Sequence, residues 1–502
     1  MRRTSTDNEQ DLRLKLFNSL LTTPHRDLAG IYPIHQEIIK QDPRFYVHLA
    51  AWYSDEGEIR DHKEMFIVNL VLSGFPGHRD TGLALLRELP PYQVGRVFDF
   101  IKGRVTKRNI KQGETSETVS VKQGLFRNIP RSMKTEIKRY LREREAKPEW
   151  FDAAVLQARR PIKRMYASLR LAPSERAQSI LFDEQPPSDS RIFALKLIAQ
   201  AKTPAEQARM IVDNQIPYRV AASVITRMTP TVLVALIERM SSQELINNIS
   251  SLKRRGAFEH PDVKMLLQDK LEKAKSDKNV SAYKAKVAAD AADASGELAD
   301  QLEAVTETQV KKTGRIKRPT ALLIDKSGSM DMAIEVGRQL GAMISAICET
   351  DLFTYAFDTI AYPIEPGGAS LADWEKALLG INAGGATSCG VALEWMALKG
   401  ERAEQIVIIT DEGENSTPRF IDAYQSYAET LNVKPDVIII KIGTAIDILE
   451  KDCGRIGVVT TAFEFKGDYY SLPNVIPLLT RPSMLELMME VLNYPLPKRK
   501  ER

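Results

Sequence analysis

Three runs toward the C-terminal end are apolar at nearly every position: TALLID (Thr320–Asp325), QIVIIT (Gln405–Thr410) and DVIIIKIG (Asp436–Gly443). Strands without polar alternation must be covered on both faces, as in parallel sheets flanked by helices. A fourth run, DLFTYAF (Asp351–Phe357), fits the same sheet. Between these runs lie amphipathic segments such as MAIEVGRQLGAMISAICE and SLADWEKALLGI, which read as helices. The pattern predicts an α/β doubly wound domain, whose ligands bind at the carboxyl ends of the strands.

The first run ends in an aspartate followed by two serines at alternate positions: Asp325, Ser327 and Ser329. Asp411 follows the QIVIIT strand, and Thr387 lies between them in the glycine-rich NAGGATSCG. All five can converge on one edge of the sheet. Two carboxylates and three hydroxyls are hard, weakly charged oxygen donors, which suit Mg²⁺ or another divalent cation with one position left open. The motif supplies no nucleophile or base. Glu412 and Glu414 read as a charged surface loop rather than an acid–base pair. Order and spacing together resemble the metal-ion-dependent adhesion site of the von Willebrand factor A domain.

The chain before residue 319 reads helical almost throughout. In TPTVLVALIERM the apolar residues Val232, Leu233, Leu236, Ile237 and Met240 share one helix face. Thr203-Pro204-Ala205-Glu206 and Ser241-Ser242-Gln243-Glu244 read as capping boxes. Helix pairs with short turns suggest an irregular helical-repeat stack. Residues 106–124 read as a long polar loop. The Ala- and acid-rich stretch at 276–313 reads as a helical connector. The expected organisation is an N-terminal segment (1–29), a helical-repeat domain (30–275), the connector (276–313), the A domain (314–494) and a basic tail (495–502).

Charge divides the chain unevenly. Residues 1–320 hold 54 Lys+Arg against 40 Asp+Glu, and residues 321–502 hold 16 against 26. Residues 101–170 alone hold 19 against 7. Such a basic stretch suits a polyanion, because Lys and Arg on phosphates give affinity without sequence readout. The candidate phosphate-binding residues are Lys102, Arg104, Lys107, Arg108, Arg127, Arg131, Lys134, Lys138, Arg139, Arg142, Arg159, Arg160, Lys163 and Arg164. Of these, Arg131, Lys134, Lys138 and Arg142 cluster at helical spacing. Tyr140, Trp150 and Tyr166 lie among them and are expected to pack in the core.

Other classes find little support. The six histidines all precede residue 261, and no Walker, HExxH or GxSxG motif occurs, so the chain is expected not to be an enzyme. Cys348, Cys389 and Cys453 lack the spacing of a disulfide framework or a zinc site. No run of 18 uncharged apolar residues appears, and the N-terminus lacks a secretory apolar region, so a cytoplasmic protein is expected.

The order of segments carries a wider resemblance. IRDHKEMFIVNLVLSG, LPPYQVGRVFDFIKG, GLFRNIPRSMKTEIKRYL and NQIPYRVAASVITRMTPTVLVALIERMSSQELINNISSLKRRGAF precede an A domain. This order, over about residues 30–500, resembles the Ro autoantigen family. The resemblance implies an all-α, HEAT-like helical-repeat ring (the TROVE domain) followed by the α/β von Willebrand factor A domain. It implies binding of noncoding RNAs in ribonucleoprotein particles: Y RNAs, and the 3′ ends of misfolded RNAs. It also implies an exoribonuclease or RNA-repair enzyme as partner, and neither a membrane nor DNA. The competing expectation is an adaptor whose A domain docks an ATPase or other protein through the metal.

Overall fold

The computed structural model describes residues 28–499, apart from 58, 113–114, 329, 444–445, 459, 466, 468–471, 473–474 and 481–483. The described chain divides into two compact units. One comprises the residues up to Lys270 together with those from Glu490 onward; the other runs from Leu271 to Met489.

The first unit begins with α1 (Leu28–Gln41), α2 (Pro43–Glu56), α3 (Arg60–Leu72), α4 (His78–Glu88) and α5 (Pro91–Lys102). A two-stranded ribbon follows, β1 (Arg104–Gln112) with β2 (Thr115–Gln123). Then come α6 (Arg131–Glu145), α7 (Pro148–Leu169), α8 (Glu175–Leu181), α9 (Arg191–Gln200), α10 (Pro204–Asp213), α11 (Tyr218–Val224), α12 (Pro230–Arg239) and α13 (Ser242–Arg254). Helix α14 (Pro261–Ser276) ends the series, and the division between the units falls within it, after Lys270. Packing joins elements one or two places apart in the chain, such as α3 with α4 and α5, and α6 with α7. That is the arrangement of a helical-repeat unit.

The helix starts follow local chemistry. Proline opens α2, α5, α7, α10 and α12, where a missing N–H costs nothing. The Thr203–Glu206 capping box forms in both directions, and the Ser241 hydroxyl accepts the Glu244 N–H. Helix α7 is bent at Ala158 (φ −141°, ψ 34°), three residues before Pro161, which cannot supply a helical N–H. Pro161 packs directly on Gly95 of α5, where a Cβ would stand 2.6 Å from the proline ring. The bend and the glycine together let these two helices close.

The ribbon corrects the loop expected at 106–124. It is antiparallel from Arg104↔Gln123 to Gln112↔Thr115. Its sequence hides it because polar residues occur throughout and no apolar face repeats. The β-branched content (Val105, Thr106, Ile110, Thr115, Thr118, Val119, Val121) is the signal that favours extended chain.

The second unit contains α15 (Ala282–Ala291), α16 (Glu297–Thr313), β3 (Thr320–Asp325), α17 (Asp331–Ile347), β4 (Leu352–Phe357) and β5 (Ala361–Pro363). It continues with α18 (Leu371–Ala377), α19 (Val391–Lys399), β6 (Gln405–Thr410), α20 (Phe420–Leu431), β7 (Asp436–Ile442), α21 (Ile448–Arg455) and β8 (Thr460–Phe465). Helices α22 (Ile476–Thr480) and α23 (Met484–Asn493) follow, and the division after Met489 falls within α23. The strand order is β5-β4-β3-β6-β7-β8, all parallel but the edge strand β5. Each central strand divides its residues between two cores. Leu322, Ile324, Val407 and Ile409 meet Leu340, Ile344 and Trp374 on one face. Ala321, Leu323, Ile406 and Ile408 meet Leu393, Met396, Tyr424 and Tyr427 on the other. This two-sided burial is why the runs are apolar at every position. The four expected strands are present; β5 and β8 are additions.

The supposed connector belongs to this unit. Ala282 and Val310, from α15 and α16, are buried in the same core as Leu322 and Ile344. The tail expected at 495–502 belongs instead to the helical unit from Glu490 onward. No described helix is long and apolar enough to cross a membrane.

Candidate functional site

From β3 the chain runs to β4 on one side, and β6 lies on the other side of β3. The carboxyl ends of β3 and β6 therefore form the switch point where doubly wound sheets bind ligands. Asp325 closes β3 and is fully buried. Its Oδ1 accepts the Ser327 N–H at 2.8 Å, and its Oδ2 accepts the Thr410 hydroxyl at 2.6 Å. Asp411 follows β6, half-buried, with Oδ1 accepting the Gly413 N–H at 2.8 Å. Thr387 is buried in the loop before α19.

Backbone bonds stitch these loops together. Gly384 N–H donates to Lys326 O, and Gly328 N–H donates to Gly385 O. Thr387 N–H donates to the Asn415 side chain at 2.8 Å, and Asn415 N–H returns to Thr387 O. Asp325, Ser327, Thr387 and Asp411 are thus on stitched loops at one sheet edge; Ser329 lies outside the described residues. Sequence reasoning missed Thr410 and Asn415. A polar residue ending an apolar strand was the available signal for Thr410.

The electrostatics fit a cation. Burial raises the Asp325 carboxyl above its ordinary range, bonds from Thr410 and Ser327 oppose that, and the Asp411 charge raises it further. Among the described residues neither aspartate has an ion-pair partner. Both nearby lysines are engaged elsewhere: Lys326 with Asp358 at 2.5 Å, and Lys441 with Glu412, Asp447 and Glu450. Among the described residues no group of three His, Cys, Asp or Glu side chains could hold a metal. A site here would use two carboxylates with hydroxyls and water, which is the chemistry Mg²⁺ prefers.

Glu412 is a correction to the surface loop. It is fully buried, takes a left-handed backbone (φ 61°), and accepts the Leu449 N–H at the start of α21. Its other oxygen lies 3.0 Å from Lys441. Burial pulls the Lys441 ammonium down, but its three carboxylate partners outweigh that and hold it protonated. The pair ties the loop after β6 to the carboxyl end of β7.

The basic segment separates into two groups. Arg139, Arg142, Arg159 and Arg164 pair with Glu136, Glu145, Glu184 and Asp99. Arg127, Arg131, Lys134, Lys138 and Arg160 have no ion-pair partner among the described residues, and all but the half-buried Lys138 are exposed. Lys102 donates to the Ser168 hydroxyl at 2.8 Å, Arg104 to the Gln123 side chain at 3.1 Å, and Lys163 lies 5.3 Å from the Phe182 ring. Lys107 and Arg108 are on β1, and their side chains lie outside the described residues. Tyr140 and Tyr166 are buried as expected. Trp150 is not: it is 56% exposed, with the Lys147 ammonium 4.1 Å from its ring. Phe151, one residue on, takes the inward position in α7.

No family model matches the sequence, and no curated protein matches it. Among solved structures, the crystal structure of the Ro (RSR) protein of Deinococcus radiodurans matches with a TM-score of 0.57 at 13% identity, covering 92% of this chain and 93% of that one. An aerotolerance-related membrane protein from Bacteroides fragilis covers 32% of this chain and 98% of its own, at 14% identity and a TM-score of 0.27. BatB from Bacteroides thetaiotaomicron covers 34% and 99%, at 15% identity and a TM-score of 0.25. The last two carry no argument at those scores. The first shows that this chain has the fold of a Ro protein over nearly its whole length: a helical-repeat unit followed by an α/β doubly wound domain.

Proposed function

We propose that this chain is a Ro-type RNA-binding protein with a binding rather than a catalytic role. The helical unit takes noncoding RNA, with unpaired cations of residues 101–170 on its phosphates. The observation that carries the reading is the separation within that segment: Arg127, Arg131, Lys134, Lys138 and Arg160 have no ion-pair partner among the described residues. Cations not held by protein carboxylates are available to phosphates. The finer proposal is a cytoplasmic role in RNA quality control, with Y-like RNAs and the 3′ ends of misfolded RNAs as ligands and an exoribonuclease or RNA-repair enzyme as partner.

In the α/β unit Asp325, Ser327, Ser329, Thr387 and Asp411 would hold one Mg²⁺. Bound there, the ion would offer an open position to an acidic group of a partner. Asp325 and Asp411 supply the charge, Thr410 and the Ser327 N–H orient the Asp325 carboxylate, and Asn415 fixes the Thr387 loop. The adaptor reading rests on this uncompensated carboxylate pair. Gel shifts with a structured RNA bearing a single-stranded 3′ tail test the RNA reading. Binding of that RNA, weakened by Ala at Arg131, Lys134 and Lys138 but not at Asp325, is expected. No binding, with Asp325-dependent capture of a protein partner, favours the adaptor.

A further inference from the structure

Phe126 stands where the ribbon of β1 and β2 meets the helices, and its backbone is unusual. Its φ is +51°, in the left-handed region that bulky residues avoid. Two hydrogen bonds hold it there: Leu125 N–H donates to Phe100 O at 2.7 Å, and Arg127 N–H donates to Ile101 O at 2.8 Å. Such strain is ordinarily offset by burying the side chain. Here the residue is 50% exposed. A strained backbone that presents an aromatic ring to solvent invites a functional reading.

The seat of the ring is specific. It lies against Gly103 (φ +77°), where a Cβ would stand 2.6 Å from the ring carbon Cγ. Part of the ring therefore covers bare backbone, and the rest is open. Lys102 and Arg104 flank that glycine, and Arg127 follows the phenylalanine. None of the three is in an ion pair among the described residues: Lys102 donates to Ser168 and Arg104 to Gln123, both neutral. A flat apolar ring bordered by cations fits an unpaired nucleobase on the ring with its phosphates on the cations. A base in an A-form duplex is stacked on its neighbours and cannot reach such a ring.

We propose that Phe126 is a stacking platform for an unpaired base of single-stranded RNA, with Arg127, Lys102 and Arg104 receiving the adjacent phosphates. This rests on the RNA-binding reading above and adds to it a base-stacking residue outside the expected cation set.

The test measures fluorescence anisotropy of the full chain with a labelled oligouridylate of about twelve nucleotides, within the footprint of single-strand-binding surfaces, and with a blunt RNA duplex of similar length. Phe126→Gly suits the left-handed backbone and removes the ring; Phe126→Leu keeps apolar bulk without a π face; Phe126→Trp keeps a larger one. The glycine and leucine variants should bind the single strand roughly 5- to 150-fold more weakly, the range for removing one stacked aromatic. Their salt slope should be unchanged, because no phosphate contact is lost. Phe126→Trp should bind at least as tightly as the wild type, and duplex affinity should not move. Melting curves identify any variant that fails to fold, and the remaining two still decide. Equal single-strand affinity of the wild type and the glycine or leucine variant overturns the platform while leaving RNA binding intact. A wild type that binds neither probe overturns the RNA reading itself, and the platform with it.

Discussion

The Thr410 hydroxyl donates to Asp325 Oδ2 at 2.6 Å, joining the carboxyl ends of β6 and β3 where the sheet changes direction. The same oxygen of Thr410 accepts the Glu412 N–H at 3.0 Å. One side chain therefore orients a candidate metal carboxylate and starts the loop that carries the other, Asp411. Asp325→Ala should abolish Mg²⁺ or Mn²⁺ binding, with helix content retained. Thr410→Val, similar in shape but without the hydroxyl, should weaken it by about 10- to 100-fold, as loss of an orienting partner does. Titration calorimetry with Mn²⁺ measures both; wild-type affinity in both variants would remove the metal assignment.

The basic segment predicts two different mutant phenotypes. Replacing Arg131, Lys134 and Lys138 by Ala should lower single-strand affinity and reduce the salt slope by up to about 2, since each phosphate contact contributes roughly 0.7. Replacing the paired Arg139 and Arg164 should lower the melting temperature more than it changes the slope. Their carboxylate partners Glu136 and Asp99, buried and half-buried, would each lose a cation. Equal slope changes in the two sets would mean that the pairing seen here does not govern RNA contact.

Cysteines offer a third check. Cys348 follows α17 as its cap rather than lying within it, and Cys389 and Cys453 are buried; all three are free thiols. Mass spectrometry of non-reduced protein should find no native Cys–Cys crosslink.

How much of this was legible depends on the range of the interactions. The strands of the second unit follow from local composition, because two-sided burial forces apolar residues at every step. Asp325, Thr387 and Asp411 could be found because strand ends and spacing are sequence properties. The partners of the basic residues could not. A charge count treats Arg131 and Arg164 alike, whereas only the fold brings Arg164 to Asp99, 65 residues away. The same holds for Val310, whose Ala-rich surroundings suggest a linker until α16 is seen contributing to a core. Trp150 was misread for a different reason: adjacent aromatic residues leave the helix phase ambiguous, and Phe151 is the one turned inward.

Glu64 predicts a pH dependence. It is buried in α3, facing Arg96 and Arg60 with Asp61 beside it. Burial pushes its carboxyl up to about 8, the two arginines oppose that, and Asp61 adds to it. The folded state thus binds the proton more tightly than the unfolded chain. Its contribution is fully present below the unfolded value of 4.5 and is lost as pH rises toward 8. Glu64→Gln should therefore be neutral to destabilising near pH 4, should gain relative to the wild type as pH rises from 4.5 toward 8, and should gain no further above that. Urea midpoints across that range measure the crossing; parallel curves would mean that Arg96 keeps Glu64 ionised throughout.

The C-terminal residues complete the helical unit. Arg499 donates to the fully buried Glu136 at 2.6 Å and lies 3.6 Å from Asp80. The Tyr494 hydroxyl donates to Asp55, its carbonyl lies 2.8 Å from His48 Nδ1, and Trp52 donates to Glu490. Glu136 also faces Arg87 and Arg139, so three arginines surround one buried carboxylate. Removing Arg499 alone leaves two, and should cost about 1.5–3 kcal/mol, the range for a hydrogen bond to a charged group. Deleting residues 490–502 removes all these contacts together and should lower the stability of the helical unit well beyond the Arg499→Ala change. If instead the deletion melts no lower than Arg499→Ala, the tail contributes through that arginine alone. Glu136→Gln separates charge from packing: it keeps the shape and removes the focus of the three arginines. In that background Arg499→Ala should cost much less, so a double-mutant cycle with no coupling would show that the bridge contributes nothing to stability.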